Sequence, residues 1–272
     1  MKFKAVFIIF NIVLIVIFLS IFCIPFFILD RDFALNFLKT SWGLCLCFAV
    51  MMIAMNVVFI RNWKLFSILE AEDWPALMVF LEKKIYQQKQ ITYRYVKLLC
   101  DSCILLSDFP GVQRLADFVS ERKPPVYARS VLGFAAALIL QRKTVAAALL
   151  EQFHEDKGVK NRPWVEWYYG FALYLKKEFK RSMTVFSGLL PSSKNRVVTG
   201  LSVYMLETKI APAESSFDEL RSSTAAYKNS LVRAHTAGVW RKQLESEKSE
   251  VPVVILGKLL DEAAVYLYGS AD

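Results

Sequence analysis

The chain has 272 residues, 34 Lys plus Arg against 25 Asp plus Glu, and a formal net charge of +9. It is 55% hydrophobic with a mean hydropathy of +0.35, too apolar for a disordered chain. With 10 Gly, 9 Pro, 5 Cys and 2 His it is not collagen-like, disulfide-dense or a His-rich metal protein.

The apolar residues concentrate at the N-terminus. Residues 5–29 and 41–60 carry no charge. A hydrocarbon core of ~30 Å needs about 20 apolar residues as a helix, so both stretches read as spans. Each must be helical, because lipid offers no partner for backbone N–H and C=O. Pro25 falls near the end of the first. That run exceeds the roughly 7–15 residues of a signal-peptide core, and no small-x-small cleavage site follows it. Phe22, before Cys23, is bulky where lipoprotein processing wants a small residue. Lys2 and Lys4 precede the first span, and Arg61 and Lys64 follow the second. The connecting loop, 30–40, holds Arg31 and Lys39 beside Asp30 and Asp32. This balance predicts an antiparallel hairpin in the cell (inner) membrane with both termini cytoplasmic. No ionisable residue lies inside either span, which argues against a proton relay or ion pathway. Asn11 and Asn56 are the most polar residues there and are expected to hydrogen-bond between helices.

No Gly or Pro lies between Leu44 and Trp74. The second span is therefore predicted to run past Arg61 and end near Glu72. Pro75 then suits the first turn of the next helix, with Asp73 as its cap.

Residues 61–272 carry 30 basic and 23 acidic residues, a net +7. Strand signals are scarce there, and apolar residues recur at three-to-four spacing. The spacing predicts helices over 94–107, 126–141, 144–153, 165–177 and 179–190. Breaks fall at 108–111, 124–125, Gly158, Pro163, Pro191 and Pro212.

Short helices joined by short turns invite a search for repeats. One unit has Tyr169-Gly170 and Leu173, then Ser182 and Phe186. A second has Leu132-Gly133 and Ala136, then Ala146, Leu150 and Phe153. A third has Leu99-Cys100 and Cys103, then Val112 and Ala116, with Pro124 closing it. A degenerate fourth has Gly200 and Val203, then Phe217 and Leu220. Small residues at Cys100, Gly133, Gly170 and Gly200 would let the two helices of each hairpin approach. A further half-unit, Ala76 and Phe80 on 73–88, is spaced as a second helix whose first helix continues the second span. This pattern resembles the tetratricopeptide family, whose repeats have a period of about 34 residues. The runner-up is another helical-hairpin array. Two N-terminal spans followed by such repeats is also similar to the bacterial HemY-type membrane proteins.

The tetratricopeptide resemblance implies a concave face lined by the first helix of each unit. Carried over by register, its positions are Tyr127, Ser130, Phe134 and Ala137; Trp164, Trp167, Phe171 and Tyr174; and Val197, Leu201 and Tyr204. The earlier unit supplies Arg94, Lys97, Asp101 and Ile104. Tyr127, Phe134, Trp164, Trp167, Phe171, Tyr174 and Tyr204 are the candidate partner-binding residues. The competing reading makes Trp164, Trp167 and Tyr174 ordinary helical core.

Other motifs point to packing or solvent. Cys100-x2-Cys103 lacks further zinc ligands nearby, and both cysteines occupy small-residue packing positions. His154 reads as a solvated helix-end residue with no nucleophile placed beside it. There is no phosphate-cradling glycine loop and no His-Glu-x-x-His, so no cofactor or metal is expected. Lys83, Lys84, Lys89, Arg94 and Lys97 follow the second span. The first three are candidate contacts for anionic lipid head groups, and a plain solvated face is the alternative. No nucleic-acid-binding motif is present.

The repeat pattern fades after about residue 223. Residues 227–248 read as a polar, basic helix. Residues 251–268 become apolar over more than one face and must be buried. They are expected to cap the last repeat. The alternatives are lying in the aromatic groove or inserting into a second copy.

The expected architecture is all-α: a membrane anchor over 1–60, tetratricopeptide-like repeats over 61–223 and C-terminal helices over 224–272. The expected function is a non-enzymatic scaffold recruiting other proteins at the cytoplasmic face of the membrane. The alternative is a non-catalytic accessory subunit of a membrane enzyme or transporter complex. The partners expected are protein, membrane lipid and, through self-association, a second copy.

Overall fold

The computed structural model describes residues 3–28, 31–156 and 158–269. No strand occurs among them, and the fold is all-α. The chain divides into two compact units, 1–80 and 81–272.

The first unit begins with α1 (Phe3–Ile28) and α2 (Arg31–Glu70), which pack on each other. Among the described residues, one stretch, Lys39–Glu70, is long and apolar enough to cross a membrane. Ala5–Ile21 is apolar but shorter. The apolar surface of α2 is not covered by protein: Ile53 is 63% exposed and Ile60 68%. Asn56 donates its side-chain N–H to Asn11 Oδ1 at 2.8 Å, so the two asparagines bond across the helices as expected. Phe7 stacks on Phe59 with ring centroids 3.7 Å apart.

The expected loop over 30–40 is corrected: α2 already begins at Arg31. Residues 31–40 contain no Gly or Pro, and Ala34, Leu35, Leu38 and Lys39 favour helix, so nothing there opposes helix propagation. Lys2 and Asp30, two charges used for orientation, lie outside the described residues, as does Asp272. At the other end α2 continues unbroken to Glu70, as the absence of Gly and Pro predicted. Pro75 sits in the first turn of α3 (Trp74–Glu82), where Ala76 N–H donates to Asp73 Oδ1 at 3.0 Å.

The second unit continues from a π-helical turn, Lys83–Gln87. It then builds α4 (Tyr93–Leu105), α5 (Phe109–Arg122), α6 (Pro124–Leu140), α7 (Val145–Glu151), α8 (Arg162–Leu175), α9 (Phe179–Ser192) and α10 (Arg196–Tyr204). The starts of these helices follow from side chains. Thr92 Oγ1 accepts from Tyr95 N–H, Asp108 Oδ1 from Gly111 N–H, and Asn195 Oδ1 from Val197 and Val198 N–H. Pro124-Pro125 and Pro163 open α6 and α8, where a missing N–H costs nothing.

The helices pair in chain order: α4 on α5, α6 on α7, α8 on α9. The first helices also pack on one another, α4 on α6, α6 on α8 and α8 on α10. The turn after each first helix has one shape. Glu72, Ser107, Arg142 and Lys177 all have φ between 52° and 63°, and each lies 35 residues after the one before. At each, the residue's N–H donates three residues back and the next N–H donates five back. The second set is Asp73 to Ile68, Asp108 to Cys103, Lys143 to Leu138 and Glu178 to Leu173. That is the Schellman motif, which satisfies the last carbonyls of the first helix. A helix-turn unit of 35 residues therefore recurs four times.

At the next position the turn changes. Tyr204 leads into a π-helical turn, Met205–Ile210, and Pro212 stands where the next left-handed residue would fall. A 3-10 turn, Ser215–Phe217, leads to α11 (Asp218–Ala234), α12 (Ala237–Glu247), α13 (Val251–Ile255) and α14 (Gly257–Tyr268). The single polar helix expected over 227–248 is two helices, because His235 and Thr236 adopt extended backbone.

Candidate functional site

The first helices α4, α6, α8 and α10 carry every residue proposed for the partner-binding face, and the structure divides them. Phe134, Trp164, Trp167 and Tyr204 are buried; Tyr127, Phe171 and Tyr174 are half-buried. Trp167 is fully buried, stacked on Phe171 at 5.2 Å and tilted on Phe186 of α9 at 5.8 Å. Phe134 stacks on Tyr127 at 5.3 Å. Trp167 thus packs within the helical core.

Trp164 and Tyr204 are buried for another reason. The C-terminal helices lie over this face. Trp164 Nε1 donates to Glu247 Oε2 at 2.6 Å, and Asn195 Nδ2 donates to the same carboxylate at 3.0 Å. The Tyr168 hydroxyl donates to the Pro252 carbonyl at 2.5 Å in a buried site. The Tyr204 hydroxyl donates to Glu262 of α14. Lys97 of α4 lies 2.7 Å from Asp101 and 3.4 Å from Glu250. Residues 236–268 thus touch all four first helices. They also cover the last of them, since α10 packs on α12 and α14. The segment thus lies both on α10 and against the aromatic residues of α8.

The glycine spacing has two physical meanings. A Cβ at Gly170 would lie 2.9 Å from the Phe186 ring, so this glycine lets α8 and α9 close, as expected. A Cβ at Gly200 would lie 2.4 Å from the Trp240 ring and 2.8 Å from Leu267. Gly200 therefore makes room for the C-terminal segment, not for a hairpin partner.

Charge follows the same geometry. Burial pulls the Lys97 ammonium down, but Asp101 beside it and then Glu250 hold it above its ordinary value. Burial pushes the Asp101 carboxyl up against the pull of Lys97. The hydrogen bond from Tyr204, with Lys209 at 3.5 Å, holds the Glu262 carboxyl below the usual range. Burial raises the Cys100 thiol well above its ordinary value and Cys103 to about 12. Both cysteines are buried, with Cys100 Sγ facing Gly133, so they pack as protonated thiols and not as nucleophiles. His154 is corrected: it is half-buried and stacks on Tyr169 at 4.5 Å, not solvated. Among the described residues no cluster of His, Cys, Asp or Glu could hold a metal.

Lys83 and Lys89 are exposed and Lys84 is half-buried; Lys83 and Lys84 share the π-helical turn. The Lys97 ammonium is engaged by two carboxylates, Asp101 and Glu250.

The residues that sequence reasoning missed are Tyr168, Asn195, Glu247, Glu250 and Glu262. Their partners are 52 to 84 residues away along the chain for the bonds from Trp164, Tyr168, Asn195 and Tyr204, so no local pattern marks them.

No solved structure matches the chain. It is similar to a protein of Treponema pallidum (strain Nichols) described as "Uncharacterized protein", with 27% identity over 276 residues, 98% of this chain and 88% of that one. Residues 111–269 match the family model described as "Uncharacterised Treponema protein", and the chain belongs to that family.

Proposed function

We propose that the protein is a membrane-anchored helical-repeat scaffold of tetratricopeptide type that recruits another protein at the cytoplasmic face of the membrane. The recurrence of one Schellman turn every 35 residues carries this reading. Repeats of this length stack helix pairs into extended surfaces used for binding proteins. The HemY-type resemblance combines the same two parts, an anchor and repeats. The uncovered apolar surface of α2 supports the anchor. In this reading α1 is the first span of a hairpin whose Asn11–Asn56 bond fixes the pairing.

Residues 236–268 hold the binding face in the absence of a partner. They are a template for the partner: a helical segment with apolar anchors such as Trp240 and carboxylates such as Glu247 placed against Trp164 and Asn195. A partner gains the face by replacing this segment.

The test is affinity capture with the full chain, wild type against E247Q/E250Q. Loosening the segment is expected to raise recovery of one soluble partner, and F171A/Y174A to lower it. Recovery of integral membrane proteins alone, unchanged by either variant, would replace the scaffold by an accessory subunit.

A further inference from the structure

A cleft of about 720 Å3 opens in the second unit between the α6–α7 turn, α8 and the helices α13 and α14. Its size lies within the roughly 300–1,000 Å3 of small-molecule sites. Its walls are apolar: Leu140, Phe171, Leu175, Ile255, Leu256 and Leu259. Leu140 is 40% exposed and Leu175 48%, uncovered by any other part of the described chain.

The cleft is also cationic. Arg142, Lys143, Lys176, Lys209 and Lys258 line it, against one carboxylate, Glu262. Glu262 already accepts from Tyr204 and Lys209, and Lys176 pairs with Glu178. Arg142, Lys143 and Lys258 make no close ion pair among the described residues, Lys258 acting on Glu262 only through space, and all three are exposed.

Apolar walls with exposed cations select a ligand having both an apolar chain and an anionic head. A small polar anion would leave the walls unused. A partner helix, about 10–12 Å across, fills roughly 500 Å3 per turn and would enter for little more than one turn. We propose that this cleft binds a single-chain anionic amphiphile, a long-chain fatty acid or a lysophospholipid, with its acyl chain against Phe171, Leu175 and Leu259 and its head group against Arg142, Lys143 and Lys258. The cleft's α13 and α14 wall belongs to the closing segment, so the cleft exists while that segment lies on the first-helix face.

The test uses the full chain in a nonionic detergent with three photoreactive lipids of equal chain length: a fatty acid, a lysophosphatidic acid and an uncharged monoacylglycerol. Mass spectrometry locates the labelled peptides. At least one anionic probe is expected to label residues 139–146, 168–176 or 255–262. Preferential labelling by one probe over the other identifies the head group. The monoacylglycerol should label these peptides several-fold less. R142E/K143E/K258E should cut their labelling by roughly tenfold or more. Labelling of the apolar helices of residues 5–70 should stay constant and serves as the internal control. L175D should lower labelling of the cleft peptides through the wall alone, and K258E on the exposed side gives the same direction if the triple variant does not fold. Labelling confined to residues 5–70, equal labelling by the uncharged probe, or no effect of the charge reversals would overturn the proposal. So would capture of a second copy of the chain by L175C in place of lipid.

Discussion

The hairpins from α4 to α9 and the closing segment, residues 236–268, are both helical, yet different physics holds them. Each hairpin turn repeats one backbone solution, with bonds spanning three and five residues at Ser107, Arg142 and Lys177. The closing segment is fixed by contacts that begin far away in the chain: Trp240 over Gly200, Tyr168 to Pro252, Glu250 to Lys97. Each of these hairpin turns is closed by bonds local to it. The segment has no such turn. It is stable only while the first-helix face receives it.

The largest effects should separate the two regions by their buried rings. Phe186→Ala, in the α8–α9 core, should cost about 3–5 kcal/mol and lower the unfolding midpoint of the whole repeat array. Trp240→Ala should cost a similar ~3–5 kcal/mol, but confined to the segment. Limited proteolysis of W240A should cut near His235–Thr236 and leave a resistant core through α9. Equal loss of both regions in W240A would break the distinction.

Tyr168→Phe removes the hydroxyl that satisfies the buried Pro252 carbonyl. It should destabilise the segment by about 1–3 kcal/mol, read as faster amide exchange over α13. Lys177→Gly should act in the opposite direction on the hairpins. Glycine adopts φ near 63° without the Cβ conflict a lysine has there, so the variant should gain about 1 kcal/mol in denaturant unfolding.

The smallest effect is that of pH. The folded-state pKa of Glu262 lies below its ordinary 4.5, first through the Tyr204 hydrogen bond. Its contribution is therefore present above about pH 4.5 and is lost as pH falls through the lowered folded value. Tyr204→Phe should flatten this part of the melting-temperature profile between pH 6 and about pH 3.

The hairpins were legible because their signals are local. Pro124, Pro163 and Asp108 mark helix starts, and apolar spacing marks each helix. The continuation of α2 past Arg61 followed from the absence of any helix breaker. The 35-residue turn was hidden because its left-handed residues are Glu, Ser, Arg and Lys, where a glycine would have announced the motif. The aromatic residues of the first helices have two kinds of surroundings. Trp167 belongs to the hairpin core, while Trp164 and Tyr204 lie under the closing segment. Burial of residues 251–268 was demanded by their composition; the surface that buries them was not, because apolar residues specify burial without specifying against what.

The central claim is that residues 236–268 of one chain close the first-helix face of the same chain. Lys97 Nζ and Glu250 Oε2 are 3.4 Å apart, close enough for a zero-length carbodiimide cross-link. Treating a mixture of isotopically light and heavy full-length chains and mapping the joined peptides by mass spectrometry measures this directly. The account predicts a Lys97–Glu250 amide joining light to light and heavy to heavy. Mixed light–heavy links, or reaction of Glu250 with no link to Lys97, would contradict it.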